Sequence, residues 1–127
     1  MAQQQTTSRI RHIATVSVPV ADPARALAFY TDILGFVKRR DASFGDGSRW
    51  IEVAPSESQT TIALAPPGTT SPGVDTGIRL SCTDAEAEHR ALQDRGVSVG
   101  EVMHWPGVPP MFILHDPDGN TLYVVEG

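Results

Sequence analysis

Cysteine is nearly missing from this chain. Its one thiol, Cys82 among 127 residues, excludes an internal disulfide framework and fits a reducing, cytoplasmic setting. Positive charge is also scarce. Ten Lys and Arg against fifteen Asp and Glu leave a net charge of −5, with no basic stripe to neutralise phosphates, which argues against nucleic acid as a partner. No apolar run approaches the roughly 20 residues of a membrane helix. The polar start, Met1 to Arg9, lacks the apolar core of a signal peptide and reads as a loose tail over residues 1–9. There is no Gly-x-Ser-x-Gly elbow, phosphate-binding glycine loop or dinucleotide fingerprint. What remains, 40% hydrophobic and 20% charged residues, is the composition of one globular domain with a real core, spanning residues 10–127.

Two patterned stretches are present, and the second repeats the first. Val16, Val18 and Val20 alternate with Thr15, Ser17 and Pro19, a strand with one buried face. Asp22 can cap a helix, Pro23 suits its first turn, and Leu27, Tyr30 and Leu34 form its apolar stripe. Gly35 can end it in the left-handed conformation. Strands follow over Phe36–Ser43, Arg49–Ala54 and Thr60–Leu64, the first two joined by a turn at Gly45-Asp-Gly47. The run from Pro66 to Gly73 is a linker. Ile78, Leu80 and Cys82 then repeat the valines 62 residues on. Thr83 with Glu86 makes a capping box for a helix over Ala85–Arg95, with Ala87, Ala91 and Leu92 inward. Gly96 closes it 61 residues after Gly35. The slip from 62 to 61 places one gained or lost residue at the strand–helix joint. Strands are expected at Ser98–His104, Met111–His115 and Thr121–Glu126.

The fold class is therefore α+β: a βαβββ module used twice, module one at about 10–67 and module two at about 74–127. The motifs Asp22-Pro-Ala-Arg-Ala-Leu-Ala-Phe-Tyr30 and His115-Asp-Pro-Asp-Gly-Asn120 resemble the vicinal-oxygen-chelate superfamily. That superfamily holds the glyoxalases, extradiol dioxygenases, fosfomycin-resistance transferases and bleomycin-resistance proteins. The resemblance implies a curved mixed sheet around a cavity, and a homodimer. Both motifs are scaffold parts, a helix start and a turn, so they say little about the reaction.

The resemblance also says where a divalent metal would be held, and the expected positions are Thr15, Ala63, Gly77 and Tyr123. None is a good transition-metal ligand. No metal, no cofactor and no catalytic residue is therefore expected. His12 reads as a surface residue, and His89 as facing solvent. Cys82 shares the helix-facing side of Ile78 and Leu80, which makes it an inert buried thiol.

If the valines face the helix, Thr15 and Ser17 face the cavity, with Arg79 on the equivalent strand and Tyr123 on the last. Trp50 and Glu52 are placed there too, and the resemblance to the superfamily pattern implies the same for Met111 and Ile113. His104 and Trp105 open a rim loop that runs to Pro110. Trp50, Trp105, Tyr123 and Met111 would make an adaptable aromatic wall, unless the tryptophans serve the core or a dimer interface. A buried Arg79 needs Glu52 or a ligand oxygen as acceptor, unless it forms a surface ion pair. The expectation is a metal-independent binding protein of the bleomycin-resistance type, sequestering an aromatic or apolar compound such as an antibiotic. The alternative is a glyoxalase-, isomerase- or dioxygenase-like enzyme using Glu52, Tyr123 or an atypical metal site.

Overall fold

The computed structural model describes residues 6–66, 68 and 70–127. Residues 1–5 of the expected tail, and Pro67 and Thr69 of the linker, lie outside these. Strand β1 (Thr15–Pro19) places Val18, and Val20 just beyond it, fully out of solvent. Asp22 caps α1 (Pro23–Ala28), its Oδ1 accepting from the amides of Ala24 at 3.0 Å and Arg25 at 3.3 Å. The helix then widens into a π-helical turn (Phe29–Ile33), where the Leu34 amide reaches back to the Phe29 carbonyl at 3.1 Å. Gly35, with φ at +77°, ends it. Strands β2 (Val37–Ser43), β3 (Arg49–Ala54) and β4 (Thr61–Ala65) complete the first sheet in the order β1-β4-β3-β2, with β1 and β4 parallel.

Module two repeats this plan. Its strand β5 (Asp75–Cys82) leads into α2 (Ala85–Asp94), then β6 (Ser98–Val99), β7 (Met103–Trp105), β8 (Val108–His115) and β9 (Thr121–Glu126). The second sheet runs β5-β9-β8-β6, with β7 also on β8. Buried side chains of both modules, among them Val18, Tyr30, Ile51, Leu92, Phe112 and Leu122, form one apolar cluster.

The structure corrects several expectations. The second cap is Asp84, not Thr83; its carboxylate accepts from the Ala87 amide at 3.1 Å. Asp22 and Asp84 are then 62 apart, like the strands, so the strand–helix joint is unchanged. The extra residue of module one lies inside its helix instead, where the π-helical turn absorbs it. Ala87 is exposed, and Ala85 and Leu92 carry the buried face. The strand expected over Ser98–His104 breaks between Val99 and Met103. Gly100 sits at the break, where a β-carbon would lie 2.9 Å from Ile113 Cγ1, so any larger residue would have to displace that side chain. The expected rim loop is a hairpin turning at Pro106-Gly107, with Pro109 and Pro110 already in β8. Pairing of β8 with β9 begins only at Met111, and β7 pairing skips from Val108 to Met111. The missing proline amides therefore break no ladder bond.

The two modules are joined by the turn between β8 and β9. Asp116 is buried, and its carboxylate accepts from four donors. Oδ1 takes the amides of Asp118 and Asn120, each at 2.9 Å. Oδ2 takes the Tyr30 hydroxyl and the Asn120 Nδ2, each also at 2.9 Å. Asn120 donates onward to the Pro19 carbonyl at 2.8 Å and accepts the amides of Gly73 and Val74 at 2.8 and 3.0 Å. Asp118 accepts the Ala21 amide at 3.1 Å and an Arg25 N–H at 2.9 Å. Burial, and then the Asp116 charge, raise the Tyr30 pKa far above the ordinary phenol, so it remains a donor.

Leaving buried partners of this network unpaired is costly. Asn120→Ala should lower the unfolding free energy by about 3 kcal/mol, and Tyr30→Phe by about 2 kcal/mol. Urea titration followed by circular dichroism measures both, and a loss near zero for Asn120→Ala would show that the turn does not hold the modules together.

Candidate ligand-binding site

Directly paired residues in a sheet share a face, so the registers define what each sheet presents away from its helix. In module one Thr15 pairs with Thr61, Ser17 and Glu52 with Ala63, Arg40 with Glu52, and Ala42 with Trp50. These residues cluster. Trp50 Nε1 donates to Glu52 Oε2 at 2.6 Å, and Thr61 Oγ1 donates to Glu52 Oε1 at 2.7 Å. The Thr15 and Thr61 hydroxyls lie 2.9 Å apart, and Thr15 also donates to the Thr61 carbonyl at 3.1 Å. The Trp50 and Thr61 hydrogen bonds hold the Glu52 pKa below the ordinary glutamate value, with a smaller contribution from the charge of Arg40. Glu52 is thus a charged and fully engaged carboxylate, a poor proton acceptor at neutral pH.

Module two presents Arg79 beside Tyr123, Tyr123 beside Ile113, and Met111 between Val125 and Met103. The Tyr123 hydroxyl donates to Asp75 Oδ2 at 2.6 Å. That bond raises the tyrosine pKa and lowers that of Asp75, which also accepts the Gly77 amide. Arg79 lies over the Tyr123 ring, its guanidinium carbon 4.3 Å from the centroid, and donates to the Gly77 carbonyl at 2.9 Å. Arg79 is exposed, not buried, and needs no Glu52 partner.

The ten residues singled out from the sequence do not all gather on these faces. Thr15, Ser17, Trp50 and Glu52 share one, while Arg79, Met111, Ile113 and Tyr123 share the other. His104 does not join them: its Nε2 lies 2.8 Å from Glu86 Oε1 of α2. Neighbouring strand residues point to opposite faces, so His104 stands opposite Met103 and Met111. Trp105 lies exposed at the tip of the β7–β8 hairpin. His89 is turned inward, half-buried, its ring edge-on to Phe112 and its Nε2 2.9 Å from the Gly100 carbonyl. Thr61, Arg40 and Asp75 are further members that the sequence reading missed. Thr61 was within reach, being two residues from Ala63 on the same face of one strand.

The metal positions implied by the resemblance do not fit a divalent transition metal. Thr15 offers a hydroxyl already tied to Thr61, Tyr123 a phenol tied to Asp75, and Ala63 and Gly77 no side-chain donor. Such sites are built from converging imidazole, thiolate or carboxylate. Among the described residues no three His, Cys, Asp or Glu side chains are placed to share an ion. Cys82 is half-buried, and burial raises its pKa first, with nearby acids adding to the effect.

Fold and motifs together define a glyoxalase-type protein. The chain belongs to the Glyoxalase/Bleomycin resistance protein/Dioxygenase superfamily, whose profile matches residues 9–124. It is 32% identical to TnmS3, an antibiotic binding protein from Streptomyces sp. CB03234, covering 94% of this chain and 98% of that one at a TM-score of 0.85. A superfamily member from Sphaerobacter thermophilus DSM 20745 is also 32% identical, over 93% and 98% of the two chains, at a TM-score of 0.87. The uncharacterized protein YetH of Bacillus subtilis (strain 168) is 31% identical over 92% of this chain and 99% of its own.

A carboxylate whose pKa is lower in the folded protein stabilises the fold above its unfolded value. That contribution is lost as pH falls through the lowered value. Acidification below the ordinary glutamate range should therefore release the Trp50 indole from Glu52. In a Trp105→Phe background this will appear as a reversible shift in tryptophan emission, absent after Glu52→Ala. An identical acid transition in both proteins would show that Glu52 does not fix the indole.

Proposed function

We propose that this protein binds and sequesters an aromatic or largely apolar small molecule, such as an antibiotic, without a metal and without transforming it. The observation that carries the reading is the state of the two aromatic side chains on the open faces. Trp50 and Tyr123 are only partly buried, yet the polar atom of each is committed to a neighbouring carboxylate. The Trp50 ring, and the face of Tyr123 that Arg79 does not cover, are thus pre-oriented for stacking, and little ordering cost remains when a flat guest arrives. Each aromatic ring covers about 150–250 Å². At roughly 25 cal/mol per Å² a stacked guest gains several kcal/mol, before association costs are deducted. Met111 and Ile113 extend the apolar surface beside Tyr123, and methionine adapts to irregular shapes. The similarity to TnmS3 supports the same reading. Sequestration requires affinity and sufficient protein, and the homodimer and cytoplasmic location expected from the sequence accord with it.

An acid–base enzyme centred on Glu52 is disfavoured. Its two oxygens are occupied by Trp50 and Thr61, and its pKa is held down, the opposite of a tuned general base.

Titration with fused-ring antibiotics should quench tryptophan emission saturably, and the compound should be recovered unaltered. Trp50→Ala and Tyr123→Ala should each weaken binding about tenfold or more, as for buried aromatic anchors. Recovery of a changed compound, or stoichiometric metal in protein purified without chelator, would overturn the proposal.

A further inference from the structure

The internal repeat creates two places where a turn of one module meets the helix start of the other, and only one is latched. At the first, Asp116, Asp118 and Asn120 enter module one and bond across the boundary. At the second, the turn between β3 and β4 faces the end of β5 and the start of α2. It reads Pro55-Ser-Glu-Ser-Gln-Thr60 and has neither aspartate nor asparagine. Its polar groups are held within module one. Arg39 takes the carbonyls of Pro55, Ser56 and Ser58 at 2.8, 3.1 and 3.0 Å, and Ser58 donates to the Thr60 carbonyl at 2.7 Å. Among the described residues no hydrogen bond crosses from this turn to β5 or α2.

A cleft occupies the unlatched junction. One cavity of about 580 Å³ lies between Leu34 to Phe36 and Pro55 on one side and α2 on the other. A second of about 510 Å³ adjoins it along β5, and both are walled by Pro55, Leu80, Cys82 and Thr83. The larger falls in the size range of small-molecule sites, and its floor is apolar, made by Leu92, Leu114 and Val124. Its charge is of one sign. Asp84 and Glu88 line it, with no lysine, arginine or histidine on the wall. Asp84 is partly engaged as the helix cap, whereas the Glu88 carboxylate is half-buried and has no partner among the described residues. Arg95, at the far end of α2, is not on the wall; it donates across the modules to the Ile33 carbonyl at 2.9 Å, at the helix ends rather than at the turn. Neither Trp50 nor Tyr123 contributes to either cavity, and Arg79 and Glu57 line only the second.

We propose that the larger cavity of this cleft is a second binding site, separate from the aromatic faces, and that it takes a lipophilic organic cation. The apolar body would fill the space above Leu92 and Leu114, and the positive centre would lie against Glu88. An apolar cavity that carries only negative charge selects for that combination, since an anion of the same shape would meet uncompensated repulsion.

The only cysteine of the chain makes the test specific, because Cys82 walls both cavities. The rate of its alkylation by N-ethylmaleimide reports on the cleft. Tetraphenylphosphonium should slow the reaction saturably, while tetraphenylborate, equal in shape and opposite in charge, should not. Glu88→Gln, a change on the surface of α2, should raise the half-protecting concentration about threefold to fivefold, the scale of one partly exposed ion pair. Ala91→Phe, which fills the cleft, should abolish protection where circular dichroism shows the fold intact. Trp50→Ala should leave protection unchanged. Equal protection by the borate, no protection by the phosphonium, or protection lost with Trp50 but not with Glu88 would each overturn the proposal. None of these results bears on binding at the aromatic faces, which tryptophan emission reads separately.

Discussion

The buried carboxylate of Asp116 organises the relation between the two halves of this protein. A charge out of contact with water is tolerated only where donors replace the lost hydration. Asp116 has four: two amides of its own turn, the Asn120 side chain and the Tyr30 hydroxyl of the other module. The first three shape the turn, and the fourth fixes the turn to module one. Tyr30 reaches it from a π-helical turn that module two does not have. At the corresponding place in module two, 62 residues on, stands Leu92, packed in the apolar core. In a regular α-helix one extra residue would rotate all that follows by about 100°; the π-helical turn takes up that rotation and changes the helix locally, where Tyr30 sits. π-Helical turns of this kind are often found where a helix has acquired a specific task, and here the task is structural.

From that anchor the rest of the surface follows by difference. One junction is closed by polar bonds, and its counterpart, without aspartate or asparagine in the turn, keeps an apolar cleft with Glu88 on its wall. On the faces away from the helices the polar groups are spent on one another. Glu52 holds Trp50 and Thr61, Asp75 holds Tyr123, and Arg79 covers the Tyr123 ring. The superfamily supplies the scaffold, while these pairings give this chain its own chemistry.

Much of this was legible before any coordinates. The Asp22 cap, the Gly35 terminus, the alternating valines and the Thr121–Glu126 strand depend on local geometry, and they appear where the sequence placed them. The residues that failed to follow expectation did so for tertiary reasons. Asp84 displaced Thr83 as cap, a matter of one residue that the repeat spacing alone left ambiguous. His89 packs on Phe112 because its helix face meets β8, and His104 reaches Glu86 of α2 from the opposite face of β7 to Met103. Pro109 and Pro110 looked like a loop but lie in a strand where no neighbour asks for their amides.

By itself the sequence determined the two modules, their order of elements and the chemistry missing from Thr15, Ala63, Gly77 and Tyr123, because periodicity, caps and residue identity are properties of the chain. Only the tertiary structure decided that Glu52 would be tied down, that Arg79 would lie open over Tyr123, and that one junction would be closed by its turn while the other kept a cleft. Those outcomes depend on which side chains meet across tens of residues, and such meetings are set by packing.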